Sequence, residues 1–193
     1  MNTTTIIIIA VVILAALVAA FFLIRRRNSE RLRSRFGPEY DRIVDEIGAK
    51  DKAEAQLHDR QKRVEKYELK TLSAEEREGF TTRWRQLQAR FVDDPSAALT
   101  EADALLGEAM AARGYPMEDF EQRADDISVH HPVVVQSYRE GHEIAVREGA
   151  GDVGTEDRRR AMLCYRRLFD ELVGEAPRTD PQPEATEKAE AHE

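Results

Sequence analysis

The chain is expected to be all-α, with one apolar helix near its start, a long charged helix, and a small helical bundle. Three observations point there. Residues Ile6 to Ile24 form an uninterrupted apolar run, IIIIAVVILAALVAAFFLI, with Arg25, Arg26 and Arg27 directly after it. Further on, apolar residues recur at three- and four-residue spacing between helix-capping residues. Nowhere do four or more residues alternate apolar and polar beside turn signals, as a strand pair requires.

The apolar run of residues 6–24 would reach ~28 Å as a helix, close to the ~30 Å hydrocarbon core of a bilayer. It contains no charge or polar side chain, so it predicts a transmembrane helix and no ion or proton path. A cleaved signal peptide is the competing expectation, leaving a secreted helical protein. Such peptides carry a basic start and ~7–15 apolar residues. Here Met1 to Thr5 holds no Lys or Arg, and Phe21 to Ile24 continue the run past the poor cleavage pair Val18 and Ala20.

Arg25, Arg26, Arg27, Arg31, Arg33 and Arg35 follow, opposed only by Glu30, in a juxtamembrane segment 25–37. Cations flanking a span are retained in the cytoplasm. Segment 1–5 is therefore expected outside the inner (plasma) membrane and residues from Arg25 onward inside. The six arginines are the candidate membrane-interface residues, with the lipid bilayer as their partner. Ala15/Ala19 and Ala16/Ala20 are small-xxx-small pairs that permit a weak homodimer.

Residues 1–37 carry a net +5 and the whole chain −8, which leaves −13 for residues 38–193. Nucleic-acid binding needs a basic stripe to neutralise phosphates, so the acidic remainder argues against it. Cys164 stands alone in AMLCYRRLF, without an internal disulfide partner, and reads as a small buried hydrophobe.

Gly37–Pro38 is expected to break the first helix. A charged helical spacer then covers 38–70, with one long helix from Glu39 to about Glu68 and a sparse stripe of Tyr40, Ile43, Val44, Ile47, Leu57, Val64 and Tyr67. The bundle domain occupies 71–173. Ser73 and Glu76 form a capping box opening a helix whose Phe80, Trp84, Leu87 and Phe91 share one face. Asp94–Pro95 starts a second helix through Leu99, Ala102, Leu106 and Met110, stopped at Gly114. Pro116 is expected to open a short helix through Phe120 and Ala124, and Pro132 another through Val135, Tyr138 and Ala145. Thr155 caps the last, with Met162, Tyr165, Leu168, Phe169 and Leu172 as its stripe. Residues 174–193 hold three prolines, no large apolar residue and an excess of acids, and predict a disordered acidic tail.

Chemical motifs are incomplete. Residues 149–154 match G-x-G-x-x-G, but a helix precedes them and no βαβ unit is predicted, so they read as a helix–helix loop. His142-Glu143 begins H-E-x-x-H, with Val146 where the second histidine belongs. A metal-dependent hydrolase would have to draw on His131, His142 and Glu143, with Asp125 or Asp126 as further ligands. On one helix, His131 and His142 would stand about 16 Å apart, too far for a shared metal. The expected reading is therefore not an enzyme, with no catalytic, metal or cofactor-binding residue. It is a binding protein (adaptor, scaffold or sensor accessory) with a protein partner.

Arg35-Phe36-Gly37-Pro38-Glu39-Tyr40-Asp41-Arg42, Gln61-Lys62-Arg63-Val64-Glu65-Lys66 and Ala89-Arg90-Phe91-Val92-Asp93-Asp94-Pro95 resemble a group of uncharacterised bacterial proteins over about Arg35 to Leu172. That resemblance implies no activity and transfers no site residue.

Overall fold

The structure, a computed structural model, describes residues 3–149, 151 and 153–174, with side chains described from Val12 onward. Eight helices and no strand occur among them: α1 (Thr3–Phe36), α2 (Pro38–Ile47), α3 (Lys50–Val64), α4 (Ala74–Arg90), α5 (Pro95–Ala112), α6 (Phe120–His130), α7 (Val135–Gly149) and α8 (Thr155–Gly174). The protein is all-α. Among the described residues no helix is long and apolar enough to cross a membrane. The side chains of Ile6–Val11, the first third of the apolar run, lie outside the described set. So do Met1, Asn2 and the expected tail from Glu175 onward, along with Ala150 and Asp152 of the glycine motif. Gly149 ends α7 and Gly154 immediately precedes α8, which places the motif between two helices.

Helix α1 runs without interruption from Thr3 through the arginine collar to Phe36. It ends where Pro38, which has no N–H and clashes with the preceding turn, starts α2. The expected single charged helix is two helices. Gly48 takes a left-handed conformation at φ 67° and its N–H caps back onto the Val44 carbonyl, so α2 stops at Ile47. A side chain at that φ would be strained, and the chain reverses there and lays α3 against α2. The segment is therefore packed rather than a free spacer, since α3 also rests on α6.

In the bundle, the Ser73 hydroxyl accepts from the Glu76 N–H while Glu76 accepts from the Ser73 N–H, the reciprocal cap expected of α4. The Asp94 carboxylate caps α5 through the Ala97 N–H. Gly114, at φ 94°, lets the loop pass against the Glu68 backbone, where an added Cβ would lie 2.5 Å from the carbonyl oxygen. Helix α6 begins at Phe120, four residues after the expected Pro116, because Asp119 supplies the stronger start by accepting from the Gln122 N–H. Likewise Pro132 lies in the turn that feeds α7, which begins at Val135.

Two apolar clusters result. The larger joins α4, α5, α7 and α8 around Leu99, Leu106, Met110, Tyr138, Tyr165 and Leu168. Trp84 is 4% exposed and stacks on Phe169 with centroids 4.6 Å apart. The smaller gathers Leu32 and Phe36 of α1, Tyr40 and Ile43 of α2, Leu57 and Val64 of α3, and Val129 of α6. Tyr67 packs against both.

Candidate functional site

Helix α1 is rooted at its C-terminal end and bare from Val12 to Ile24. Ser29, Leu32 and Phe36 fall at i, i+3 and i+7 and are buried, whereas Val12 to Ile24 are exposed throughout. Polar contacts add to the apolar root. The Ser29 hydroxyl and the Tyr40 hydroxyl both donate to Glu54 Oε1, at 2.6 and 2.8 Å, and Asn28 meets His58 at 2.9 Å. Burial and the Glu54 carboxylate push the Tyr40 hydroxyl up to about 12. Burial alone would raise Glu54, but the hydrogen bonds from Ser29 and Tyr40 hold it below the ordinary carboxylate value.

All six collar arginines are exposed. Arg25 pairs with Asp51 of α3, Arg26 with Glu30, and Arg33 with Asp41 of α2. Such surface pairs contribute little stability, ~0–1 kcal/mol each, but they do cancel charge locally. Arg27, Arg31 and Arg35 succeed one another at four-residue spacing on the opposite side of the helix.

Beneath this root lies a buried ion network. Arg60 of α3 donates to Glu39 of α2 and to Asp125 of α6, both at 2.8 Å. Arg139 of α7 reaches Asp125 at 2.7 Å and Glu39 at 3.5 Å, and Arg42 closes on Glu39 at 2.8 Å. Burial opposes ionisation of Glu39, yet the hydrogen bond from Arg42 and the charges of Arg42 and Arg139 hold its carboxyl below the usual value. At Asp125 burial wins over Arg60 and Arg139 and moves the carboxyl upward. Alongside, Arg63 and Tyr67 bind the buried Asp126 at 2.7 and 2.8 Å. Each acid is held by guanidinium or hydroxyl donors, so the network couples α2 and α3 to α6 and α7 and offers no free base.

The hydrolase residues are not brought together. His131 caps the C-terminus of α6 instead of sharing α7 with His142, so the helical spacing expected between them does not apply. Its Nδ1 lies 3.4 Å from Glu171 of α8. The His142 ring stacks on Phe120 at 3.5 Å and 7° and stands 4.0 Å from Asp103. Glu143 is exposed. Asp125 and Asp126 are taken up by arginines. Among the described residues no three His, Cys, Asp or Glu side chains are grouped to hold a metal ion. Cys164 is buried, and burial with the nearby Glu140 carboxylate pushes its thiol up to about 11. Burial, followed by the charge of Asp103, also raises the hydroxyls of Tyr138 and Tyr165.

Sequence reasoning missed Arg60, Glu39 and Arg139. A signal for Arg60 existed: it falls on the stripe Ala53, Leu57, Arg60, Val64, a position that helical spacing reserves for the buried face of α3. No family model, curated protein or solved structure matches the chain.

Proposed function

We propose that the protein is a single-pass membrane-anchored adaptor, scaffold or sensor accessory, whose helical body binds a protein partner at the cytoplasmic face and performs no catalysis. The observation that supports this most is the continuity of α1. Its exposed apolar length, Val12 to Ile24, joins without a break to the buried root at Ser29, Leu32 and Phe36. A soluble surface rarely carries so long an apolar stretch, because water must order around all of it. Together with the preceding Ile6–Val11 of the sequence, the length suits a bilayer core. The collar then sets the direction, with residues from Arg25 onward inside. A rigid helix fixed in both the bilayer and the body would hold that body at a defined height, which suits presentation of a partner more than free diffusion.

The test is topological. In a bacterial host, a phosphatase active only outside the cytoplasm, fused after Gly174, is expected to stay silent, while a fluorescent protein there matures. The chain is expected to stay with membranes through an alkaline wash, and crosslinking from those membranes then identifies the partner. Strong phosphatase activity, release by the wash, or a mature chain beginning near Phe21 would overturn the anchor.

A further inference from the structure

The fold divides the arginine collar into two unlike sides. Toward α2 and α3, Arg25, Arg26 and Arg33 each meet a carboxylate, so that side carries its own counter-charge. On the other side Arg27 and Arg31 make no ion pair or hydrogen bond with any described residue. A concavity of about 390 Å³ lies there, with Phe21 and Ile24 at its apolar end and Arg27, Asn28 and Arg31 at its polar end; Arg25, already paired with Asp51, also lines it where the two sides meet.

We propose that this concavity holds the phosphate of an anionic phospholipid between Arg27 and Arg31, with an acyl chain against Phe21 and Ile24. The proposal rests on the membrane-anchored reading of α1. Spacing along the helix agrees with it. With the hydrocarbon edge at Ile24, Arg27 lies ~4–5 Å and Arg31 ~10 Å beyond, against a headgroup layer of roughly 5–7 Å that a long arginine can reach back into. Arg35, about 16 Å out, lies past that layer and acts only through a screened field. A guanidinium presents a planar fork of donors that matches phosphate oxygens, and neither Arg27 nor Arg31 has a carboxylate to give up first. The apolar end selects lipid over inorganic phosphate, which would leave Phe21 and Ile24 uncovered. The −13 carried by residues 38–193 repels the leaflet, so the attraction stays confined to this side of α1.

Native mass spectrometry of the full chain in neutral detergent, titrated separately with phosphatidylglycerol, phosphatidylcholine and inorganic phosphate, tests the site. Flotation of the same preparations with pure phosphatidylcholine vesicles reports the anchor separately. All variants are expected to float. Phosphatidylglycerol is expected to be retained over phosphatidylcholine, and Arg27→Gln/Arg31→Gln to weaken it by roughly ten- to thirtyfold, as for two cations near a charged surface. Arg26→Gln/Arg33→Gln, on the neutralised side, is expected to stay within about twofold. Equal retention of the two lipids, inorganic phosphate bound as tightly as phosphatidylglycerol, or equal losses in the two double variants would overturn the site while leaving the anchor standing. Failure to float would overturn the anchor, and the site with it.

Discussion

Arg60 on α3 donates to Glu39 on α2 at 2.8 Å, with 2% and 1% of the two side chains exposed. Neither charge could be held so far from water without the other, and Asp125 and Arg139 complete the balance. Removing one partner strands the rest. Arg60→Met and Glu39→Leu are each expected to destabilise the chain from Arg25 onward by ~3–5 kcal/mol. Glu39→Leu/Arg60→Met is expected to cost clearly less than the sum of the singles, since it removes both charges and keeps the volume. Urea unfolding at pH 7 measures all three, and strict additivity would mean the pair does not act as a unit.

The parts of the fold legible in the sequence were those written in local chemistry. Ser73 with Glu76, Asp94 with Pro95, and the stripe Phe80, Trp84, Leu87 specify helix starts and a buried face within a few residues of one another. The charged segment was not legible in that way. Arg60, Arg63 and Glu54 sit among so many charges that they read as a solvated face, and the acids that hold the two arginines, Asp125 and Asp126, lie more than sixty residues downstream. Gly48 is a poor helix former, but whether a helix bends, tolerates or ends at a glycine depends on its surroundings. Here the helix ends at Gly48, and α3 packs back on α2 and against α6. The collar was legible as a row of arginines. Its division into a neutralised and an open side depends on Asp41 and Asp51, which the fold brings back to α1.

Trp84 stacks on Phe169 and is almost fully enclosed. Trp84→Ala is expected to cost ~3–5 kcal/mol, through lost burial and the cavity left between α4 and α8. Its Nε1–H has no hydrogen-bond partner among the described residues, so Trp84→Phe gives up no bond and is expected to cost markedly less. Thermal melts followed by circular dichroism separate the two, and an unchanged curve for Trp84→Ala would identify the aromatic face as a binding surface.

Cys164 lies against Glu140 at 3.6 Å, enclosed between α7 and α8. With its thiol pushed up to about 11, almost none is thiolate at pH 8. Labelling by an aromatic disulfide reagent is expected to be slow in the native chain and rapid in urea. Fast native labelling would mean that the α7–α8 contact opens readily.

His142 should make stability depend on pH near neutrality. Burial lowers its pKa below 6.5 against the attraction of Asp103; repulsion from Arg123 lowers it as well, against weaker attractions from Glu121 and Glu143. A lowered folded value means the unfolded chain takes the proton first. The contribution is therefore fully present above about pH 6.5 and is lost as pH falls through the folded value. Asp125, raised in the fold, works in the opposite sense, losing its contribution as pH rises through its folded value. Comparing His142→Phe with the parent chain removes that background and the other histidines from the difference. The variant, which keeps the stack on Phe120, is expected to lose less stability than the parent between pH 7 and 5. Parallel curves would show that His142 titrates alike folded and unfolded.

The same network sets where the body can be cut. A chain beginning at Ser73 keeps the larger cluster apart from Leu72 and the flanking Tyr67, but discards α2 and α3. Asp126 would lose Arg63 and Tyr67, Asp125 would lose Arg60, and Val129 would lose the apolar neighbours that bury it. Two carboxylates and an apolar face on α6 would then meet solvent, and Arg139 alone would hold Asp125. Residues 73–174 are therefore expected to be helical but less cooperative, with amide exchange along α6 fast relative to α5 and α8. A chain from Arg25 to Gly174 retains every partner and is expected to unfold in one transition, with α6 protected as well as α8. Equal protection of α6 in both chains would mean that the larger cluster alone holds that helix, and that the ion network joins two units which do not need each other to fold.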